Sequence, residues 1–497
     1  MKEIELKFLV PVAKLDAIKR QTHIKSSMTE NLAAHYFDTP DQILAKNSIA
    51  LRIRKEGDDW VQTIKAKGDG LASRIEHNYK LDTQLTNQQI AQNQLKPDLT
   101  IYIDTPVEKI LKKFDINKLN NHLTCQYITD VDRTTRQIKK QWQAIEVAFD
   151  TGKVIHGTDN TQAQPLQEIE LELLRGQAAF LFETAKTWCK RYKLNLSTIT
   201  KAERGNLLLA GKQHPNAVKA ALKSLEVHKK MSSAQFMRAV THNCLLQIMP
   251  NASAIAAGSK DGNHVHQLRV GIRRLRTALK FFDGFSQNIQ PDWMPVLKQT
   301  FSLLGEYRDR DVLKHKTQPM LEDIGSPHVE WSTDIKIMPI DAVQANDFQL
   351  TLLELIEFAL SDADEEGKSK PAQPRLVKIL DKLFNKITTA SSHFAELELE
   401  AQHDVRKRLK SLRYICEFAA PIYNKKSTKP FIKYLEPAQD VLGDYNDNIV
   451  GHEFYLERSK VDAQALFAVG WFLAREQQSA IICADALKTV KNAPKFW

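Results

Sequence analysis

Glu3 and Glu5 stand two residues apart at the start of the chain, with Lys7 next on the same parity, while Ile4, Leu6 and Phe8 take the alternate positions. In a β-strand, side chains at i, i+2 and i+4 share one face. One face of this segment is therefore apolar, and the other sets two carboxylates side by side with a base. Further segments repeat the pattern. Arg52 and Arg54 share a side, as do Lys65 and Lys67, Arg74 and Glu76, Glu146 and Asp150, and Glu168, Glu170 and Glu172. Small or apolar residues alternate with them: Ile53, Ala66, Ile75, Val147, Ile169 and Leu171. For any single strand, a charged face open to water is the plain alternative. If the faces instead turn inward, so much charge is buried only when a ligand and a metal complete it. A polyphosphate with Mg²⁺ or Mn²⁺ has the right chemistry, with Arg and Lys gripping phosphate oxygens and carboxylates holding a hard cation.

A second pattern occurs twice. His266, Arg269, Arg273 and Arg276 in "HQLRVGIRRLRTALKFF" match His403, Arg406, Lys410 and Arg413 in "HDVRKRLKSLRYICEF" at offsets 0, 3, 7 and 10. At 3.6 residues per turn these four fall within an arc of about 80° on a helix. "LGEYRDRD" and "LGDYNDNI" follow the two histidines at distances of 38 and 39 residues. Matched motifs at matched separation read as an internal duplication. Two such units packed about a pseudo-twofold axis bring both basic stripes to one surface, where an extended anion relieves their repulsion. Asp309 and Asp447 are placed to orient some of these bases. The histidines, with no Cys or acidic spacing around them, are expected to be structural or phosphate-binding rather than metal ligands.

The elements that position these residues fall into two regions. Period-two patterning dominates to about residue 210, with a helix expected from about Ala178 to Tyr192. Helical periodicity dominates after Gly211 and Pro215. A chain of 497 residues exceeds one compact core. We expect a strand-rich domain at 1–210, a linker at 211–227, a helical domain at 228–450 with halves at about 228–315 and 346–450, and a helical extension at 451–497. Stretches 316–345 and 363–374 read as connections, and Trp471 and Phe472 as core of a terminal helix. The net charge of +10 favours a polyanionic partner. No run is apolar enough to cross a bilayer, and no signal peptide is visible. Five scattered cysteines without a CxxC spacing suit a reducing cytoplasm.

Taken in order, "EIELK", "YFDTP", "ALRIRKE", "TIKAKG", the "RIE" strand, "EIELELL" and "ITKAERG" resemble the CYTH superfamily, the triphosphate tunnel metalloenzymes, over residues 1–208. The resemblance implies an α+β multidomain chain that opens with an eight-stranded antiparallel β-barrel, a tunnel that cleaves triphosphate. It implies metal ligands Glu3, Glu5 and Glu170, with Glu172 also placed for the metal. Glu3, Glu5, Lys7, Glu76, Glu168 and Glu170 are catalytic candidates, and Arg52, Arg54, Lys65, Lys67, Arg74, Arg133, Lys201 and Arg204 are substrate-binding candidates. His77 and Asn78 stand where some members carry a second glutamate. Residues 228–450 resemble the CHAD domain, an all-helical module that binds inorganic polyphosphate. That resemblance assigns His266, Arg269, Arg273, Arg274, Arg276, Arg308, His403, Arg406, Lys410 and Arg413 to polyphosphate. The second copy departs from the pattern, with Lys410 and Ser411 where the first has Arg273 and Arg274. The expected function is a Mg²⁺- or Mn²⁺-dependent inorganic triphosphatase, since no aromatic or Gly-rich site for a base is evident. The alternatives are a non-catalytic polyphosphate scaffold and a CYTH enzyme acting on thiamine triphosphate or cyclising ATP. Neither nucleic acid nor a membrane is the expected partner, and the oligomeric state is open.

Overall fold

The computed structural model describes every residue except Met1, 68–70, Ala72, Asn93, 331–336 and Lys368, and leaves out the side chains of Lys2, Glu3, Lys67, Ser73, Arg74, Glu365 and Gln477. Three site candidates, Glu3, Lys67 and Arg74, thus have side chains outside the described set.

Nine strands form among the described residues, most of them from segments that alternate apolar and polar side chains. These are β1 (Lys2–Leu9), β2 (Met28–Asp38), β3 (Ile49–Glu56), β4 (Asp59–Lys67), β5 (Ser73–Lys80), β6 (Thr124–Lys140), β7 (Gln143–His156), β8 (Ala163–Arg175) and β9 (Asn195–Leu196). They form one sheet in the order β5-β4-β3-β2-β6-β7-β8-β1-β9, with β1 also paired to β5. Neighbouring strands run antiparallel. The sequence predicts eight strands; the ninth is a two-residue pairing of Asn195–Leu196 with the end of β1. Gly57, with φ of 60°, makes the tight turn between β3 and β4.

The two faces of the sheet pack differently. Ile49, Leu51, Ile53, Trp60 and Ile64 bury one face of β3–β4 under Leu99, Tyr102 and Leu111. Those covering residues come from the stretch between β5 and β6, which has no period-two signal and folds into short helices. On the other face, Leu32, Ala34, Tyr36, Tyr127, Val131, Val154 and Leu166 form a second core. The helix α1 (Ala178–Tyr192) falls where the sequence places it.

α2 (Lys201–Leu209) closes on the second core through Leu208. Its Gly205 permits this, because a Cβ there would come within 2.1 Å of the Tyr127 ring. The Tyr127 hydroxyl donates to the Ala202 carbonyl at 3.0 Å.

The chain divides into two compact units. One is Met1–Ala217 with Met249–Lys260 and Val343–Glu357; the other is Val218–Ile248, Asp261–Ala342 and Phe358–Trp497. The second unit is helical. Its principal elements include α3 (Ser233–Ala256, whose last turns belong to the first unit), α4 (Gly262–Phe281), α5 (Trp293–Val312), α6 (Leu399–Ala419), α7 (Lys425–Ser459) and α8 (Leu466–Val490). The duplicated motifs occupy α4 with α5, and α6 with α7. The boundary drawn at 450 falls inside α7, which tolerates Pro430 and Pro437 and runs on to Ser459. Stretch 316–345 is only partly a connection, since it holds the helices Gln318–Asp323 and Pro339–Gln344. Phe472 is buried as expected. Among the described residues, no helix is long and apolar enough to cross a membrane, and the five cysteines are unpaired.

Candidate functional site

Directly opposed residues in an antiparallel pair share a face, so strand register places each charge. Glu5 lies opposite Glu172, and Lys7 opposite Glu170. Glu172 lies opposite Glu146, and Glu168 opposite Asp150. Asp150 lies opposite Arg133, Tyr36 opposite Arg52, and Lys65 opposite Glu76. This face borders a cavity of about 850 Å³. Its lining draws bases from β3 and β4 (Arg52, Arg54, Lys65) and acids from β1, β7 and β8 (Glu5, Glu146, Glu172). Lys7, Glu76, Arg133, Glu170 and Lys201 also border it.

Most cavity bases have an acid partner. Lys201 Nζ reaches Asp150 at 2.7 Å, Glu168 at 2.5 Å and Glu170 at 2.9 Å. Lys7 Nζ lies 2.7 Å from Glu170 and 3.2 Å from Glu168. Arg133 donates to both Asp150 oxygens at 2.8 and 2.7 Å and to Glu170 at 2.5 Å. Lys65 meets Glu76 at 2.5 Å. Arg54 pairs with Glu56. Burial alone pulls Lys7 and Lys201 down, but Glu168 and Glu170 outweigh it and hold both ammonium groups above the ordinary value. Burial likewise pushes Glu170 up, and Lys201, Lys7 and Arg133 reverse this, leaving it well below the usual carboxylate range. Glu146 goes the other way. Burial raises it, Arg133 offsets this only in part, and Glu170, Glu30 and Asp150 add to the rise.

Two groups of carboxylates therefore differ in character. Oxygens of Asp150, Glu168 and Glu170 lie within 4.8 Å of one another, a spacing that suits a cation. Lys201 reaches all three, so fixed side-chain cations already compensate that group. Glu5, Glu172 and Glu146 follow one another across β1, β8 and β7; Glu5 lies 3.8 Å from Lys7, and burial with neighbouring acids keeps Glu146 above the usual carboxylate range.

The helical unit holds a cluster of opposite character. Arg269, Arg273 and Arg276 of α4 lie over the ring of Phe301 on α5, at 4.5, 5.2 and 5.1 Å from its centre. Gly305 leaves the space for Arg269, since a Cβ there would sit 2.5 Å from Nη1. The motifs on α4 and α6 converge, and their bases perturb one another. Burial lowers Arg269 to about 10, with Asp309 resisting and Arg273, Arg308 and Arg406 contributing. Burial lowers Arg406 to about 10, with Arg273 contributing and Asp447 and Asp309 resisting. Lys410 falls to about 7 through burial and then Arg273 and Arg406, which Asp447 only partly offsets. Burial, together with cations that include Arg308 and Arg273, keeps His266 below its ordinary value; burial, Lys407 and Arg406 do the same for His403. Asp309 and Asp447 are both raised, first by burial and also by their neighbouring acids, Asp447 acting on Asp309 and Asp444 on Asp447.

Three of the sequence-predicted residues lie away from the surfaces expected of them. Arg274 stands apart from the cluster of Arg269, Arg273 and Arg276. It is 1% exposed, donates to Asn243 at 2.9 Å and Gln247 at 3.2 Å, and lies 5.1 Å from the Phe418 ring, so it belongs to the core. Glu168 is fully buried and absent from the cavity lining, so its role is to hold Lys7 and Lys201 rather than to face a substrate. Arg204, 3.7 Å from Glu168, belongs to the same supporting group. Arg413 is engaged by Glu417 and Gln439, and Arg308 pairs with Asp311. Asp150 and Glu146 join the site without a role assigned from sequence, although their shared parity with each other was the available signal. Phe301 carried no signal, because a single aromatic on a helix reads as core.

Comparison with known proteins follows the same division. Residues 1–205 match the CYTH domain family and residues 239–456 match the CHAD domain family. An inorganic triphosphatase of Haemophilus influenzae is 34% identical over 178 residues, a match spanning 35% of this chain and only 44% of that protein. An uncharacterized protein of Mycobacterium tuberculosis is 22% identical over 529 residues, covering 98% of this chain and 95% of its own. Among solved structures, the CHAD domain of the plant Ricinus communis aligns at 25% identity and a TM-score of 0.48, covering 57% of this chain and 99% of that one. A Hippeastrum protein proposed as an adenylyl cyclase, and reported with a dominant triphosphatase activity, aligns at 17% identity and a TM-score of 0.32, covering 43% of this chain and 98% of its own.

Proposed function

The chain joins a CYTH domain, residues 1–205, to a CHAD domain, residues 239–456, and from this we propose that it is a metal-dependent inorganic triphosphatase whose helical module binds inorganic polyphosphate. The observation that carries the first half is one cavity lined by Arg52, Arg54 and Lys65 on one stretch of sheet and by Glu5, Glu146 and Glu172 on another. In this reading the β5–β1 pairing, which joins distant members of the strand order, closes eight strands into a tunnel and leaves β9 outside. The name of the Haemophilus relative supports inorganic triphosphate as the substrate.

The residues present fit a hard divalent cation, since an all-carboxylate donor set suits Mg²⁺ or Mn²⁺. We assign Glu5, Glu172 and Glu146 to hold it, with Glu3 beside them on β1, in preference to Glu170, which three cations already engage. When bound, the ion supplies neutralisation of phosphate charge. The chain itself supplies positioning, which is most of what phosphoryl transfer asks of a protein. Arg52, hydrogen-bonded to Tyr36, grips phosphate oxygens with Arg54, Lys65, Arg133 and, by register, Lys67 and Arg74. Glu168 and Glu170 fix Lys7 and Lys201 so that neither ammonium swings away. Cytoplasmic residence belongs to the same proposal, and the unpaired cysteines support it.

The polyphosphate half rests on the convergence of two basic helices whose cations depress one another. One experiment tests the first half: phosphate release from triphosphate, ATP, thiamine triphosphate and long polyphosphate, with and without Mg²⁺ or Mn²⁺, for wild type and Glu5→Gln. Metal-dependent release from triphosphate by wild type alone is expected, with a loss on the order of 10³-fold in the variant. Equal, negligible turnover by both proteins would replace the enzyme with a phosphate-binding scaffold.

A further inference from the structure

The two copies of the helical motif part company just beyond their acidic segments. In the first copy, α5 runs into a π-helical turn, Leu313–Thr317, before the short helix Gln318–Asp323. In the second copy, α7 continues as one α-helix to Ser459. Aligning Leu304 with Leu442 sets Leu313 against Gly451, Lys316 against Phe454 and Thr317 against Tyr455. Gly451 lets the Phe472 ring of α8 come close, since a Cβ there would lie 2.4 Å from it. Leu313 is buried in the same core as Tyr455 and Phe472, and Phe454 packs against that core. Lys314, His315 and Lys316 are exposed. At the last of these positions the second copy packs Phe454 against the core and the first presents Lys316 to solvent. Turns with π geometry are rare and gather at functional sites.

The charges differ in the same sense. The first copy carries Lys314, His315 and Lys316 where the second carries His452, Glu453 and Phe454. Two lines of charge lead from the basic cluster to the π turn. Arg308, one of the cations that depress Arg269 and His266, pairs with Asp311. Asp311 in turn lies 3.4 Å from His315 Nδ1. On the other line, Asp447 interacts with Arg406 and Lys410 and also with Lys316. Arg308 and His315 thus both approach Asp311, and Lys316 is one of the cations that act on Asp447, as Arg406 and Lys410 of α6 do. A polyanion lying along Arg269, Arg273, Arg406 and Lys410 meets Lys316 if it leaves over the π turn. Over α7 it would meet Glu453 and an apolar ring.

We propose that Lys316 extends the anion site past one end of the paired motifs, so that the helical unit prefers polyphosphate chains long enough to leave over the π turn. The inference rests on the polyphosphate reading above and adds to it a direction of exit and a preference for length.

Binding of pentaphosphate and of long-chain polyphosphate to the full chain, in EDTA to prevent turnover, tests it. Lys316→Ala is expected to weaken the long chain by about 5-fold and to lower the salt slope of its binding by about one phosphate contact, with pentaphosphate unaffected. Lys316→Arg should restore both quantities, which a merely structural role at an exposed position would not produce. Equal losses for both ligands, or no loss for the long chain, overturn the inference. The pair Arg269→Ala with Arg406→Ala separates this from failure of the reading beneath it. Long-chain binding that survives that pair removes polyphosphate from the helical unit altogether, whereas binding that fails with the pair and ignores Lys316→Ala removes only the exit path.

Discussion

Lys201 and Lys410 are both lysines drawn into charged clusters, and burial lowers the proton affinity of each. In the sheet, Glu168, Glu170 and Asp150 surround Lys201 and hold its pKa above the ordinary value. In the helices, Arg273 and Arg406 face Lys410, and its pKa falls to about 7. The sheet cluster around Lys201 is internally neutralised, so its bases are locked in place, and Glu146, which burial and neighbouring acids raise, stands beside it. The helical cluster is internally repulsive, and an anion would relax it. The first arrangement suits a cation and an anion together in a fixed geometry; the second suits an anion alone.

The comparison breaks if the two lysines respond alike to removal of charge. Lys201→Met leaves buried carboxylates without their shared cation, and a loss of about 3–5 kcal/mol in unfolding free energy is expected. Lys410→Met removes a repelled charge and should leave the melting temperature unchanged or raised. Thermal denaturation of both variants, without phosphate ligands, decides it.

Polyphosphate affinity sharpens the contrast within the helical unit. Arg269→Ala with Arg406→Ala should weaken binding by about 10- to 100-fold and reduce its salt dependence, as lost phosphate contacts do. Titration calorimetry at two ionic strengths measures both effects. Arg274→Met should instead lower stability by about 1–3 kcal/mol, through the lost partners of Asn243 and Gln247, with little change in the affinity of folded protein.

The smallest effect concerns pH. Lys410 has a folded pKa of about 7, below the unfolded value, so between those values the unfolded chain binds more protons and stability of the free helical unit rises with pH. Polyphosphate favours the charged amine. Binding therefore takes up a proton above pH 7, and affinity should fall as pH rises from there. Lys410→Arg should flatten that profile, read as affinity across buffers from neutral to alkaline. An unchanged slope would remove Lys410 from the anion site.

Parity and periodicity made much of this legible in the sequence. The shared face of Arg52 with Arg54, or of Glu168, Glu170 and Glu172, follows from strand geometry and needs no tertiary knowledge. The convergence of α4 and α6 was legible from the duplicated motif, because similar units pack in similar ways. Less legible was depth along a face. Glu168 and Glu170 share parity, yet one is sealed beneath two lysines and the other borders the cavity. Arg273 and Arg274 are neighbours in sequence, yet a 100° turn sends one to the basic cluster and the other into a core beside Phe418. The π turn at Leu313 was hidden too, since the duplication itself argues for two matching helices.

Which side chains share a face, and that the helical unit is built twice, could be read along the chain alone, since both are properties of local geometry and repetition. Which acid meets which base was fixed by the folding of distant segments together. Those pairings depend on register between strands far apart in the chain and on how closely α2 settles at Gly205, and neither is encoded in any single segment.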